Sequence, residues 1–357
     1  MGASLQAYAL VTCLRCMGHD TEIIDYKPKY LIHYKLTGIG NPRYDKPILR
    51  ELYTFAKLPG RLKSRFSKRK KEYDLFTKEY LPVTKIRYSS NDELKNNPPE
   101  ANLYFAGSDQ IWNTIFNNGR DPAFYLDFAP LGAIRASYAA SFATEDVNEE
   151  WKPQVKKWLT ALDYISVRES SGVDIINNLG IDGVVQVLDP VFLLDTEHWE
   201  KIEKSVNITE PYVLLYDFDR NPDIGAYTKR IARENGWKIF SILPNACSDR
   251  CFDQEGPAAF LWLIHHAEFV ISNSFHATAF SLIYQKQFVV FNRNENINTR
   301  MKDLVQLVGI EDRLVSIYEK TNLGLIDYTL VGSKLNKAIS QSKDYINTVL
   351  EAVRRVD

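Results

Sequence analysis

Residues 268–291 are the part of the sequence that most constrains the fold. They read EFVISNSFHATAFSLIYQKQFVVF, in which an apolar run ends in three polar residues, an apolar segment with helical spacing follows, and a second apolar run comes next. This order predicts a buried strand, a tight turn, a helix and a second, parallel strand. The turn and the first helical residues contain Asn273, Ser274 and His276.

The position of His276 in this unit suggests a ligand. In open α/β sheets, ligands bind at the carboxyl ends of the strands, and the free N–H groups of the following helix favour an anion. We therefore predict that His276 lies beside a bound anion. A second interpretation fits the pattern equally well: Ser274 or Asn273 caps the helix, and His276 is an ordinary first-turn residue.

Strands and helices alternate along most of the chain. Predicted strands in the first part end near Asp109, Arg168 and Asp189, and the alternation restarts at Tyr212. The sequence therefore predicts an α/β protein of two facing Rossmann-like domains. With 357 residues available, we place these domains at 1–195 and 196–357, the second ending in an amphipathic helix over 334–355.

The N-terminal sequence predicts the α-β half of a βαβ unit. A glycine turn at Gly2 leads into a helix over 5–17, which Gly18 ends, and a strand over 22–26 follows. The strand that should precede Gly2 is absent from the sequence. Because an open gap in a parallel sheet is costly, we expect a shortened N-terminus in preference to a domain without its first strand.

Composition excludes few functions but sets the context. The formal net charge of −1 provides no global field that would favour nucleic acid. The sequence has no apolar run of about 18 residues and no signal-peptide pattern at its start. We therefore expect a cytoplasmic protein without a nucleic-acid partner.

A dense basic stretch lies between Arg61 and Lys71 and is interleaved with Leu62 and Phe66. It is a candidate for peripheral contact with an acidic membrane surface, at the inner face of the membrane, or with an anionic carrier. A solvated helix face or a mobile excursion is the interpretation that we favour.

The cysteines give little support to a metal site. Cys13 and Cys16 have the C-x-x-C spacing of thiol redox and zinc sites, but they fall in an amphipathic pattern typical of buried helix cysteines. Cys247 and Cys251 are far away in the sequence, which does not support a four-thiolate zinc site. We predict no metal.

Five short blocks together resemble the polysaccharide pyruvyl transferase family. They occur in the family's order and span Gly2 to about Phe291. They are LQAYAL at 5–10 after the glycine turn, GSDQIWN at 107–113, ISVRE at 165–169, LDP at 188–190 and NSFHA at 273–277. The resemblance implies a glycosyltransferase-B-like architecture of two facing Rossmann-like domains.

The resemblance also implies a reaction. A pyruvyl group passes from phosphoenolpyruvate, a co-substrate, to two hydroxyls of a sugar in a bacterial surface polysaccharide or its lipid-linked precursor, and a pyruvate ketal forms without a cofactor. His276 matches the family's histidine and is the candidate general acid, for which a pKa near neutral is expected. Arg168 matches the arginine expected to bind the anionic donor.

Asp109 is a candidate to orient or deprotonate an acceptor hydroxyl, although a turn residue at a strand end would look the same. The other residues that we predict to contact substrate are polar or glycine residues beside these three. They are Gly107, Ser108, Gln110, Asn273 and Ser274.

The chain departs from the family at one position. Many members have an arginine two residues before the histidine, where this chain has Ser274, and serine cannot replace a bidentate cation. Another cation or another donor is then required. Two alternatives therefore stay open: a glycosyltransferase that uses a nucleotide sugar, with Asp217 or Asp219 as ribose ligand, and a non-catalytic member of a polysaccharide assembly system.

Overall fold

The computed structural model describes residues 1–31, 60, 62, 64–294, 298–315 and 323–354. In this part of the chain every pairing between named strands is parallel. Parallel strands need crossover connections, and helices supply most of them, as in an α/β protein. The predicted fold class is confirmed.

The N-terminal part of the protein runs to the end of its last strand at Gln186. Its elements are α1 (Gly2–Cys16), β1 (Ile23–Tyr26), α2 (Lys68–Tyr80), β2 (Val83–Tyr88), α3 (Asn91–Asn96), β3 (Leu103–Ala106), β4 (Ile134–Ser137), α4 (Lys152–Leu159), β5 (Ser166–Val167), α5 (Ser170–Asn178) and β6 (Val185–Gln186). Strand β1 pairs with β2, β3 with β4, and β5 with β6. Single bridges from Ala136 to Tyr164 and from Ala140 to Val167 connect the β4 region to β5.

The C-terminal part holds a six-stranded sheet. Its elements are α6 (Thr196–Glu200), β7 (Tyr212–Tyr216), α7 (Pro222–Asn235), β8 (Lys238–Ser241), β9 (Arg250–Cys251), α8 (Pro257–His265), β10 (Phe269–Ser272), α9 (Phe275–Ile283), β11 (Gln287–Phe291), α10 (Thr299–Val308), β12 (Leu314–Val315) and α11 (Tyr328–Val353). The strand order is β12-β11-β10-β7-β8-β9. Strand β10 therefore lies centrally, between β7 and β11, so its carboxyl end opens at the middle of the sheet edge.

Local sequence explains the sharpest element boundaries. Asn221 caps α7 by accepting a hydrogen bond from the Asp223 amide at 2.9 Å, and Pro222 occupies the first helical position. The helix ends at Gly236, whose φ of 70° is the left-handed conformation that glycine adopts without strain. The five residues of β7 are all buried, as expected for a central parallel strand.

Several predicted boundaries were wrong. Helix α1 begins at Gly2 and not after a glycine turn, and α11 begins at Tyr328 because Asp327 caps it with a 2.9 Å bond from the Thr329 amide. Strand β4 is regular only to Ser137. Ala139 and Ala143 adopt positive φ values of 52° and 57°, which interrupt the extended backbone there.

The terminal helix packs back onto the N-terminal part. The Tyr345 hydroxyl donates to the Ser137 carbonyl at 2.8 Å, and the Leu188 amide donates to the Ser342 hydroxyl at 2.9 Å. One buried apolar cluster includes side chains from both parts, among them Leu5, Phe192, Phe280 and Ile346. The division of the chain near residue 195 stays a prediction.

The basic stretch and the cysteine pair are only partly as predicted. Arg61 and Lys63 lie outside the described residues. Lys68, the first residue of α2, pairs with Glu255, and the same helix buries Phe76. Membrane contact stays a prediction. Cys13 is buried as expected, but Cys16 is exposed at the end of α1, so the prediction of two buried cysteines was wrong for Cys16.

Within the described ranges, no helix combines the length and apolar character needed to cross a bilayer.

Candidate active site

His276 lies in the first turn of α9, directly after the carboxyl end of β10. Ser274 caps this helix: its hydroxyl accepts from the Ala277 amide at 3.4 Å, and its own amide donates to the Ser272 hydroxyl at 2.9 Å. The capping interpretation is therefore confirmed for Ser274. It does not make His276 an ordinary surface residue, because the imidazole is only 12% exposed.

The His276 ring points into a polar cluster. Its Nε2 lies 3.8 Å from Oδ2 of Asp189, too far for a hydrogen bond, and this buried nitrogen has no hydrogen-bond partner among the described residues. On the other side, the ring packs against the start of α1. A Cβ built on Gly2 would approach the imidazole Nδ1 to 2.0 Å, so only glycine fits there.

Arg168 follows β5 and forms the centre of the cluster. Its guanidinium hydrogen-bonds to Asp189, and the pair is almost completely buried, with side-chain exposures of 2% and 0%. Ser108 is bonded to both residues: its hydroxyl donates to Asp189 at 3.2 Å and accepts from Arg168 at 3.4 Å. Nε and Nη2 of Arg168 are buried without a hydrogen-bond partner in the described structure.

Asp109 is held between two arginines. Its Oδ1 lies 3.8 Å from Nη2 of Arg168 and 3.8 Å from Nη1 of Arg300. The residue has a positive φ of 76°, which is uncommon outside glycine, and the Gln110 amide donates to its Oδ1 at 3.0 Å. With its side chain 32% exposed, Asp109 is the most accessible member of the cluster that it forms with Arg168, Asp189, His276 and Arg300.

Burial and charge set the protonation states. Burial lowers the pKa of His276 to about 4, although the carboxylates of Asp189 and Asp109 oppose this shift. Burial alone would raise the pKa of Asp109, but the charges of Arg168, His276 and Arg300 outweigh it and lower that pKa. At neutral pH the imidazole is therefore neutral, and its pKa is lower than the near-neutral value expected from the sequence.

Arg300 was not predicted from the sequence. It lies in the first turn of α10, its side chain is 8% exposed, and its guanidinium carbon is 5.8 Å from the centroid of the Phe275 ring. Arg168 is 4.6 Å from the centroid of the same ring. Burial, reinforced by repulsion from Arg168, lowers the pKa of Arg300 to about 10, so it remains a cation at neutral pH.

The remaining predicted residues differ in whether their polar groups already have hydrogen-bond partners within the protein. Asn273 is fully buried, and its amide group bonds to the Phe218 amide and to the carboxylates of Asp217 and Asp219 at 2.9–3.2 Å. Gln110 accepts from Asn113 at 3.4 Å within its own loop. Gly107, by contrast, faces Gln6, whose buried Oε1 has no hydrogen-bond partner in the described residues.

Glu169, which follows Arg168, precedes the first residue of α5. Its side chain turns inward, where Oε1 accepts bonds of 2.9 Å from the Ser141 hydroxyl and from the amides of Phe142 and Ala143. It therefore fixes the segment after the Asp109–Ala140 bridge.

His265 is the last residue of α8, and His266 directly follows it. They form with Glu203 a group of three side chains whose ligand atoms are within 4.8 Å of one another. His265 Nδ1 is 2.9 Å from Glu203 Oε1, and its ring stacks on Tyr284. These contacts give both His265 and Glu203 a structural role away from the cluster around Arg168.

Fold and site together define an α/β protein with parallel sheets, whose arginines and histidine converge between its N-terminal and C-terminal parts. The sequence model of the family described as polysaccharide pyruvyl transferase matches residues 1–295. The chain belongs to the polysaccharide pyruvyl transferase family, as its five sequence blocks predicted, and it is thereby a transferase with a polysaccharide acceptor. The match ends before Arg300.

Comparison with solved structures adds distant likenesses. UDP-GlcNAc 2-epimerase from Neisseria meningitidis, solved with UDP-GlcNAc bound, is 10% identical, with a TM-score of 0.46 and coverage of 97% of this chain and 91% of that one. The Methanocaldococcus jannaschii enzyme is 13% identical, with a TM-score of 0.46 and coverage of 94% and 88%. At this level the likeness supports no inference about activity. No curated protein matches the chain significantly in sequence.

Proposed function

We propose that the protein transfers a pyruvyl group from phosphoenolpyruvate to a sugar of a bacterial surface polysaccharide or its lipid-linked precursor and forms a pyruvate ketal. The observation that carries this proposal is the convergence of His276, at the start of α9, with the buried Arg168 and the partly exposed Asp109 of the N-terminal part. Family membership supplies the reaction class.

The donor carries a carboxylate and a phosphate, which suit guanidinium groups and helix starts. Arg168 has buried N–H groups without a hydrogen-bond partner in the described structure, and α9 begins beside it with Ser274 as its cap. A donor bound there places its negative charge next to the imidazole of His276.

In the proposed reaction, a sugar hydroxyl attacks C2 of phosphoenolpyruvate while the methylene C3 takes a proton from His276. Inorganic phosphate then leaves from C2 as the second hydroxyl bonds to that carbon, which closes the ketal. Of the two hydroxyl protons, one returns to His276 and the other leaves with the phosphate. The neutral imidazole must first gain a proton, and the bound anion favours this because it stabilises the imidazolium. His276 is thus an acid in the donor complex although its pKa is about 4 without donor.

Asp109 has the complementary role in this proposal. Its lowered pKa keeps it ionised at neutral pH, and its side chain is partly exposed, so it can accept a hydrogen bond from the acceptor hydroxyl. A carboxylate with a lowered pKa is a weak base. Orientation of the hydroxyl is therefore its main contribution.

The nucleotide-sugar alternative has less support. Asp217 accepts bonds from the amides of Asp219 and Asn221, and Asp219 accepts from Asn273 and from the Asn294 amide. These carboxylates, the candidate ribose ligands, are thus engaged by the protein itself. A cavity of about 730 Å³ does lie next to them, lined in part by Arg220, Lys229 and Asn245, and it gives the alternative a place to be tested.

The test combines binding and turnover. We expect phosphoenolpyruvate, and not a panel of nucleoside diphosphates, to raise the melting temperature of the protein. We expect His276→Gln to lower kcat for ketal formation, followed by proton NMR of the ketal methyl group, by roughly 10²- to 10⁴-fold. The control is His266→Gln, which changes an exposed histidine directly after α8.

Full ketal formation by His276→Gln would reject its role as acid. Stabilisation by nucleoside diphosphates alone would favour the glycosyltransferase. No response to any of these ligands would favour a non-catalytic member of a polysaccharide assembly system.

A further inference from the structure

We propose that Arg300 is a donor-binding residue that supplies the second guanidinium of the site, from a helix that follows the segment matched by the family. The inference rests on the proposed function for the identity of the donor. The ligand chemistry that it requires is an oxyanion, either the phosphate or the carboxylate of phosphoenolpyruvate.

The first observation is that Arg300 is buried with little compensation. Its Nε is buried and has no hydrogen-bond partner among the described residues, and the carboxylate near it, that of Asp109, lies 3.8 Å from Nη1. That distance is too long for a hydrogen bond. A buried guanidinium with so little hydrogen bonding lowers the stability of a folded protein, and the Asp109 carboxylate at 3.8 Å and the Phe275 ring offset this only in part.

The second observation is the contrast with Arg168. The Arg168 guanidinium has a direct, fully buried hydrogen bond to Asp189, which offsets its charge. Both arginines lie near the single carboxylate of Asp109, and Arg168 repels Arg300. Burial and this repulsion together lower the pKa of Arg300. The positive charge of Arg300 is thus less well compensated by the protein than that of Arg168. A bound anion would therefore stabilise Arg300 more than Arg168.

The third observation is that Arg300 is held in place from the N-terminal part. Asp303, one turn further along α10, accepts from the Ser170 amide at 2.5 Å and from the Gln186 side chain at 3.4 Å. This contact attaches α10 to the start of α5, close to Arg168. The start of α10, which carries Arg300, is therefore fixed relative to the N-terminal part.

The position of Arg300 also bears on Ser274, which stands where many members of the family have an arginine. The residue two positions before His276 carries no charge here and serves as the cap of α9. Arg300 approaches the same helix start from α10, over the ring of Phe275. The charge that Ser274 lacks is supplied from another element of the fold.

The experiment measures binding of phosphoenolpyruvate, inorganic phosphate and pyruvate by calorimetry to the full-length wild type, Arg300→Gln, Arg300→Lys and Lys302→Gln. Lys302 is exposed on the same helix, so its variant loses the same charge outside the site. We expect Arg300→Gln to raise the Kd for phosphoenolpyruvate by roughly 10- to 100-fold. Arg300→Lys should be intermediate because lysine lacks the bidentate fork, and Lys302→Gln should bind like wild type.

Phosphate and pyruvate each carry one of the two oxyanions of phosphoenolpyruvate, so they identify the group that Arg300 contacts. A higher Kd for phosphate in Arg300→Gln indicates the phosphate, and a higher Kd for pyruvate indicates the carboxylate. Because the substitution removes a repulsive buried charge, we expect its melting temperature to equal or exceed that of the wild type. A fall in melting temperature with unchanged ligand binding would show that Arg300 is structural and would overturn the inference.

The inference and the proposed function fail in different ways. Wild-type binding of phosphoenolpyruvate that Arg300→Gln leaves unchanged overturns the role of Arg300 and leaves the function in place. Wild-type binding of phosphate but not of phosphoenolpyruvate, lost in Arg300→Gln, overturns the donor and keeps Arg300 as an anion-binding residue. Failure of all three anions to bind the wild type overturns both.

Discussion

Gly2 and His276 touch across the two parts of the molecule, and the contact is so close that a Cβ on Gly2 would lie 2.2 Å from Cε1 of the imidazole. The first residue of α1 thus helps to fix the ring of the proposed acid. Glycine is required here for space and not for backbone conformation, because Gly2 is part of a regular helix.

This contact predicts an unusual effect of Gly2→Ala. In most helical positions alanine is better than glycine by about 0.5–1 kcal/mol, but here overpacking should lower the free energy of unfolding by about 1–3 kcal/mol and displace the His276 ring. Chemical denaturation and kcat measure the two effects. Gly225→Ala in α7 is the control, since nothing lies within 4 Å of a Cβ there, and it should be neutral or stabilising.

The lowered pKa of His276 predicts a pH dependence of stability. Between its folded value of about 4 and the ordinary value near 6.5, the unfolded chain binds a proton that the folded protein does not, so stability falls as pH decreases through this window. From pH 7 to pH 5 the loss due to His276 should be about 2 kcal/mol.

The measurement is the free energy of unfolding of wild type and His276→Gln across this range, in buffers without phosphate. His276→Gln should show the smaller loss, whereas His19→Gln, a partly exposed histidine outside the site, should behave like wild type. Parallel pH profiles for wild type and His276→Gln would contradict the lowered pKa.

The attachment of the terminal helix predicts a third effect. Ser342→Ala removes the acceptor of the buried Leu188 amide, and an unpaired buried amide costs about 1–3 kcal/mol. Ser340→Ala makes the same change at an exposed position of α11, where alanine favours the helix slightly. Equal unfolding free energies for the two variants would show that this attachment adds nothing.

The elements with strong apolar patterns were predictable from the sequence. Strand β3 ends shortly before Asp109 as predicted, and the unit around His276 has the predicted strand, turn, helix and strand. Hydrophobic runs bounded by turn residues decide these elements locally. Helix α3 and strand β2 were missed, because β2 is mostly exposed and lacks a buried alternating face.

The site was predictable only where a strand end or a family block marked it. Arg168 and Asp109 both follow strands, and in the structure Nη2 of Arg168 lies 3.8 Å from Oδ1 of Asp109. Asp189 also follows a strand, but an Asp before a Pro is typical of a turn. The sequence therefore did not indicate that Asp189 is the partner of Arg168. Nothing local marks Arg300, because its role depends on α10 meeting α5 through a contact 133 residues apart in sequence.

The unequal exposure of the site has a kinetic consequence for the proposed reaction. Arg168, Arg300 and His276 are nearly enclosed, whereas Asp109 faces solvent with about a third of its side chain. A sugar bound against Asp109 would block the approach to the arginines behind it. The donor must then bind first and the acceptor second, so initial-velocity patterns should show a compulsory order of addition.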